Sequence, residues 1–162
     1  MKNVIAIYLT LIFLSCSTQG RLTKVEFRPL NESPKFSLRL ASQYKIIDFS
    51  SIEERERYFI YPDSSFVYIS SFDVSPNYDN INALGDSICN YRFQNKNLSI
   101  ELNTKVPYLV KLLPDTFQLS GISKNNLFWK DIYIGNISIG YKDVPLEQKD
   151  KFDQFLSSLK IK

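Results

Sequence analysis

The side chains able to do chemistry in this 162-residue chain are few, and the first fact about them is an absence: there is no histidine. Without imidazole there is no Ser-His-Asp or Cys-His catalysis, no His general acid or base, and no His-based zinc, copper or iron site. The only cysteines are Cys16 and Cys89. A catalytic thiol at Cys89 would want a neighbouring His to lower its pKa, and thiolate metal or iron–sulfur sites need more cysteines. Ser-x-x-Lys occurs at Ser42 to Lys45 and at Ser157 to Lys160, but the Ser-Asp-Asn and Lys-Thr-Gly partners of such a dyad are missing, so both read as chance. Asp63, Asp73, Asp79 and Asp86 stand singly, with no calcium loop around them. There is no Gly-x-Gly-x-x-Gly and no Walker lysine. The expectation is a non-enzymatic protein with no catalytic residues, no cofactor and no metal. The rival is a carboxylate-dependent hydrolase of envelope glycans, since two distant carboxylates brought together by a fold lie outside the reach of spacing arguments.

One set of residues suggests binding. Gly135-Asn136 suits a two-residue hairpin turn, pairing Ile134 with Ile137 and Ile132 with Ile139 on one face. Trp129, Asp131 and Tyr133 then share the other face with Ser138, Gly140 and Lys142. Trp129 and Tyr133 beside Asp131 and Lys142 could stack on a sugar or peptide ring and hydrogen-bond its substituents. The competing reading has the C-terminal helix covering Trp129 and Tyr133, because an amphipathic helix must bury its apolar stripe somewhere.

The N-terminus carries an address. Met1-Lys2-Asn3 is a short positive start, and Val4 to Leu14 is apolar apart from a single Thr. That is the length of a signal-peptide core, whereas a membrane-spanning helix needs about 20 residues. Leu14-Ser15-Cys16 follows and resembles the lipobox of bacterial lipoproteins, which implies cleavage before Cys16 and acylation of Cys16. The alternative is an ordinary secretory signal cut after Ser17. If Cys16 is acylated, Cys89 is left with no cysteine to pair with. The organisation expected is a signal peptide at 1–15, an acylated cysteine and short tether at 16–23, and one globular domain at 24–162. The tether reaches at most about 25 Å. The formal charge of +3 falls to +2 without Lys2, too little to argue for nucleic acid as a partner.

The elements that must position these residues follow from periodicity. Phe36, Leu38 and Leu40 alternate as in a half-buried strand, and Tyr44 to Phe49 reads as a second. The charged run 51–57 reads as a turn or short helix. Pro62 to Ser65 reads as a four-residue turn closing a hairpin in which Ile60 faces Val67 and Tyr58 faces Ile69. Both faces of that hairpin are apolar or aromatic, so it is covered on both sides or shows an aromatic surface to a ligand. Helices are expected over Asn80 to Tyr91 and after Pro145, where Phe152, Phe155, Leu156 and Leu159 form a stripe. Further strands are expected at 97–103, 115–122, 127–134 and 137–142, in one antiparallel sheet crossed by the C-terminal helix.

Residues 66–88, a strand running into a Ser-Pro loop and then Asn80-Ile81-Asn82-Ala83-Leu84-Gly85-Asp86, resemble the corresponding region of PsbP-like proteins. That resemblance implies an α+β fold, an antiparallel β-sheet with helices packed on its faces as an α/β/α sandwich, and a non-enzymatic binding or assembly role at a membrane. The composition, rich in Asn, Lys, Ile and Phe, is similar to that of small lipoproteins of Bacteroidetes. Their surface-export signals usually carry acids just after the cysteine, and residues 17–21 have none, which implies the periplasmic face of the outer membrane. The partners expected are the membrane, through the lipid anchor, and an envelope protein or glycan.

Overall fold

The computed structural model describes residues 21–83 and 116–162, apart from Glu32, Glu53 and Asp73. Cys16, Cys89, Asp86, the strand expected at 97–103 and most of the helix expected over Asn80 to Tyr91 lie outside the described residues. Nine strands occur among the described residues: β1 (Leu22–Phe27), β2 (Phe36–Ala41), β3 (Lys45–Ser50), β4 (Arg55–Ile60), β5 (Phe66–Ser70), β6 (Thr116–Ile122), β7 (Phe128–Ile134), β8 (Ile137–Val144) and β9 (Lys160–Ile161). The helices are α1 (Tyr78–Asn82) and α2 (Lys149–Ser157), the latter preceded by a single 3₁₀ turn at Leu146–Gln148. All strand pairs are antiparallel, so the chain is α+β as expected.

There are two sheets instead of one. Six strands run in the order β3-β4-β5-β8-β7-β6, and a smaller sheet runs β1-β2-β9. Leu22 and Thr23, expected in the tether, open β1, and Lys160, expected in the last helical turn, forms β9 with Ile161 against Ser37 and Phe36. Alternation in β2 is as read: Phe36, Leu38 and Leu40 are fully buried while Arg39 is exposed. They join Phe59, Tyr61, Val67, Ile69, Ile139 and Tyr141 of the large sheet, and Phe152, Phe155 and Leu156 of α2, in one core. Burial of each such side chain contributes about 1.5–3 kcal/mol in transfer terms. Three of the four stripe residues therefore lie on the helix as expected. Leu159 is partly buried beyond its end.

The two expected hairpins fared differently. Around Gly135-Asn136 the register is Ile134 with Ile137 and Ile132 with Ile139, as read, and Gly135 carries the positive φ of 58° that the turn requires. In the 58–69 hairpin the register is one residue off: Ile60 faces Phe66, Phe59 faces Val67 and Tyr58 faces Tyr68. The loop has three residues, because Tyr61 N donates to Ser65 O at 2.8 Å and Ser64 N donates to Tyr61 O at 3.0 Å. Ser64 takes the left-handed position, φ 69°. The β6–β7 loop uses the same device, with Ser123 N donating to Leu127 O and Asn126 at φ 58°. Arg55, Glu56 and Arg57, read as turn or helix, lie in β4. They extend a strand whose partner β3 is joined to it by a tight turn closed by Ser51 N on Glu54 O.

Candidate functional site

Trp129, Asp131 and Tyr133 do share one face of β7, and the cross-strand partners of Asp131 and Tyr133 on β8 are Gly140 and Ser138, as expected. They do not form an open ligand surface. Their exposures are 1%, 0% and 1%, so the face is closed. Nor does the C-terminal helix close it. The stripe of α2 belongs to the core on the opposite side of the sheet, whereas Trp129 and Tyr133 cluster with Ile81 of α1 and with Phe117 and Leu119 of β6. Phe117 stacks on Tyr133 with ring centroids 4.7 Å apart.

Asp131 organises this face. Its Oδ1 accepts from Tyr68 OH and from Asn77 Nδ2 (2.5 Å), and its Oδ2 accepts from Ser75 Oγ (2.6 Å) and Tyr133 OH. Asn77 Nδ2 also reaches Tyr141 O at 3.1 Å, and Tyr68 OH lies 3.0 Å from Ser75 Oγ. Four donors on one buried carboxylate hold the Ser75-Pro76-Asn77 loop, and α1 after it, on the sheet. Lys142, the fourth residue of the expected surface, adds a tether by donating from Nζ to Pro76 O at 2.7 Å. Burial, reinforced by the charge of Asp131, pushes the Tyr68 phenol well above its ordinary pKa, so it stays a donor. Gly140 is required here. A Cβ would fall on Lys130 O and within 2.7 Å of both Asp131 Oδ1 and Tyr68 OH.

Across the same face, Phe49, Glu56, Ser70, Ser138 and Tyr133 form one cross-strand row. Glu56 Oε1 and Ser138 Oγ are buried with no hydrogen-bond partner. Burial raises the Glu56 carboxyl above its usual range, against hydrogen bonds from Tyr58 and Ser70 that lower it. Glu56 on β4 and Asp131 on β7 are three strands apart, about 14 Å at about 4.8 Å per strand, beyond the separation a glycosidase pair uses. Asp63 accepts from Ser65 and Gln148, whereas Asp48 and Asp153 are matched by cations. Asp48 meets Arg57 Nε at 2.6 Å and Nη2 at 2.7 Å. Asp153 accepts from Lys149 at 2.6 Å, and from Lys130 and Tyr141 OH at 3.2 Å each. Burial opposes ionisation of Asp153, but Lys149 and Lys130 outweigh it and hold the carboxyl below its usual value. The groove beside Asp153, with Gly121, Phe128 and Lys130 on its walls, encloses about 180 Å³, less than small-molecule sites usually offer.

What the face leaves open is a largely apolar strip, with exposed Lys45 at one end. Toward the β3 edge it carries Ile47 and Phe49, 41% and 50% exposed, with half-buried Tyr58, Ile60 and Phe66 behind them. Phe49 packs edge-on against Tyr58 at 5.5 Å, and Tyr58 against Phe66 at 5.2 Å. Sequence reasoning found the aromatic hairpin but not this strip, whose membership depends on the Tyr58–Tyr68 register and on the pairing of β3 with β4. Among the described residues no group of three or more Cys, Asp or Glu is arranged to hold a metal, and no helix is long and apolar enough to cross a membrane. No protein-family model, curated protein or solved structure matches the chain.

Proposed function

We propose that this protein is a lipid-anchored component of the bacterial cell envelope, acylated at Cys16 on the periplasmic face of the outer membrane, with a non-catalytic binding or assembly role. The observation that carries the binding role is the contrast across one sheet face. Toward the β6 side the carboxylate of Asp131 is closed off by four donors, while the β3 side presents an exposed aromatic and aliphatic strip. Exposed apolar groups of that kind mark contact sites, and a sheet edge beside them offers unpaired backbone groups to a partner. The α/β/α arrangement of PsbP-like proteins belongs to the same reading. It draws support from α2 packing in the core on one side and Ile81 of α1 packing with Trp129 and Tyr133 on the other.

Site-specific photo-crosslinking in cells tests the binding role. A crosslinker at Phe49 is expected to give a discrete adduct that Ile47→Ser abolishes, while one at Lys124, on the β6–β7 loop, gives none. Equal labelling from both positions overturns the strip as the contact surface. Glycan release that is lost in Glu56→Gln or Asp131→Asn while the fold is retained establishes the hydrolase instead.

A further inference from the structure

The weak net charge of the chain conceals a strong separation. The segments that build and flank the small sheet, 21–41 and 158–162, hold seven basic and two acidic residues, whereas 42–157 hold twelve basic and fifteen acidic. Strand pairing puts most of those cations on one face. Lys24 lies opposite Arg39, and Glu26 opposite Ser37, which lies opposite Lys160. Lys35 and Lys162 exchange backbone hydrogen bonds of 3.0 and 2.9 Å, in the same phase of the ladder. Opposite residues in an antiparallel pair project from the same face, and the other face, with Phe36 and Leu38, is in the core. Among the described residues, five cations thus share the outer face of the sheet with one carboxylate, that of Glu26. Lys24 (2.5 Å), Lys35 and Lys162 (3.1 Å) all converge on Glu26, and together they hold it well below the usual carboxylate range, Lys24 most strongly. Among the described residues no carboxylate is bound to Arg39 or Lys160, both exposed. Arg21 and Arg28, also exposed, stand at the two ends of β1.

We propose that this basic face of the β1-β2-β9 sheet docks on an anionic phospholipid surface, a proposal that builds on the lipid-anchor reading above. The charge is complementary to phosphate, and the position of the anchor selects a membrane over other polyanions: the chain enters this same sheet at Arg21, five residues after Cys16. Five extended residues span no more than about 18 Å, so an anchor at Cys16 holds the small sheet, and no more distant part of the domain, against the headgroups. The acylated cysteine ties the chain to the bilayer, and a basic patch beside it adds a second contact that seats the small sheet on the headgroups.

Flotation with two kinds of vesicle separates the two readings. Binding of the cell-produced chain to neutral phosphatidylcholine vesicles reports the anchor, and the gain on adding phosphatidylglycerol reports the basic face. The gain is expected to vanish near 1 M salt, where screening acts within about 3 Å. Each cation near the surface is worth about fivefold. Arg39→Glu with Lys160→Glu, two exposed positions, should cut the gain at least about 25-fold and leave binding to neutral vesicles unchanged. Lys45→Glu with Lys124→Glu, the same change in net charge placed on the large sheet, should retain the gain. Equal loss in both double variants, or no phosphatidylglycerol gain in the parent chain, overturns the proposal whatever the neutral vesicles show. So does retention of the gain in Arg39→Glu with Lys160→Glu.

Discussion

Replacing Asp131 by Ala removes the acceptor shared by Tyr68 OH, Ser75 Oγ, Asn77 Nδ2 and Tyr133 OH at a position with no exposure to water. A buried donor left unpaired costs about 1–3 kcal/mol. Not all four are stranded. Tyr68 OH and Ser75 Oγ, 3.0 Å apart, can bond each other, and Asn77 keeps Tyr141 O at 3.1 Å. One hydroxyl of the Tyr68–Ser75 pair remains, and with the charge-assisted bonds lost by the other donors the total comes to about 3–5 kcal/mol. At about 2–4 °C per kcal/mol for a chain of this size, the melting temperature should fall by roughly 6–20 °C. Asp131→Asn should cost far less, about 1 kcal/mol, because its amide can face Ser75 and Tyr133, whose hydroxyls turn to accept, while its oxygen keeps Tyr68 and Asn77. Thermal melting by circular dichroism, with urea titration as a check, measures both. An Ala variant melting within about 2 °C of the parent would mean that these donors reach water, and Asn costing as much as Ala would refute the donor count.

Two further outcomes follow from the same face and its loops. Glu56 has its folded pKa raised by burial, so its stabilising contribution is complete below its ordinary value of 4.5 and is lost as pH rises through the folded value. Glu56→Gln should therefore be more stable than the parent near neutral pH and converge with it in acid; parallel stability–pH curves would show that Glu56 is not desolvated. Ser64 holds a left-handed backbone, φ 69°, at the third loop position, where Gly carries no Cβ penalty. Ser64→Gly should stabilise the fold by about 0.5–1 kcal/mol in urea titration, and a loss of stability would refute the strain.

What the sequence determined by itself is whatever short-range physics decides. Alternation placed Phe36, Leu38 and Leu40 on one face, and the helical period placed Phe152, Phe155 and Leu156 on another, because side-chain direction follows from backbone geometry alone. Gly135-Asn136 determined its hairpin, since a two-residue turn with Gly first leaves one register. Pro62 to Ser65 marked a turn equally clearly but not its length. Ser64 in a left-handed conformation has no composition signal as plain as Gly, and one residue of slip exchanged the faces of the hairpin. The grouping of Trp129, Asp131 and Tyr133 was legible for the reason that Phe36 was, yet their burial was not, because Ile81, Phe117 and the Ser75–Asn77 loop come from distant parts of the chain. Only tertiary structure assembled the basic face. Lys162 and Glu26 are 136 residues apart, and a net charge of +3 carries no trace of the pairing of β1 and β9 with β2 that brings their cations onto one surface.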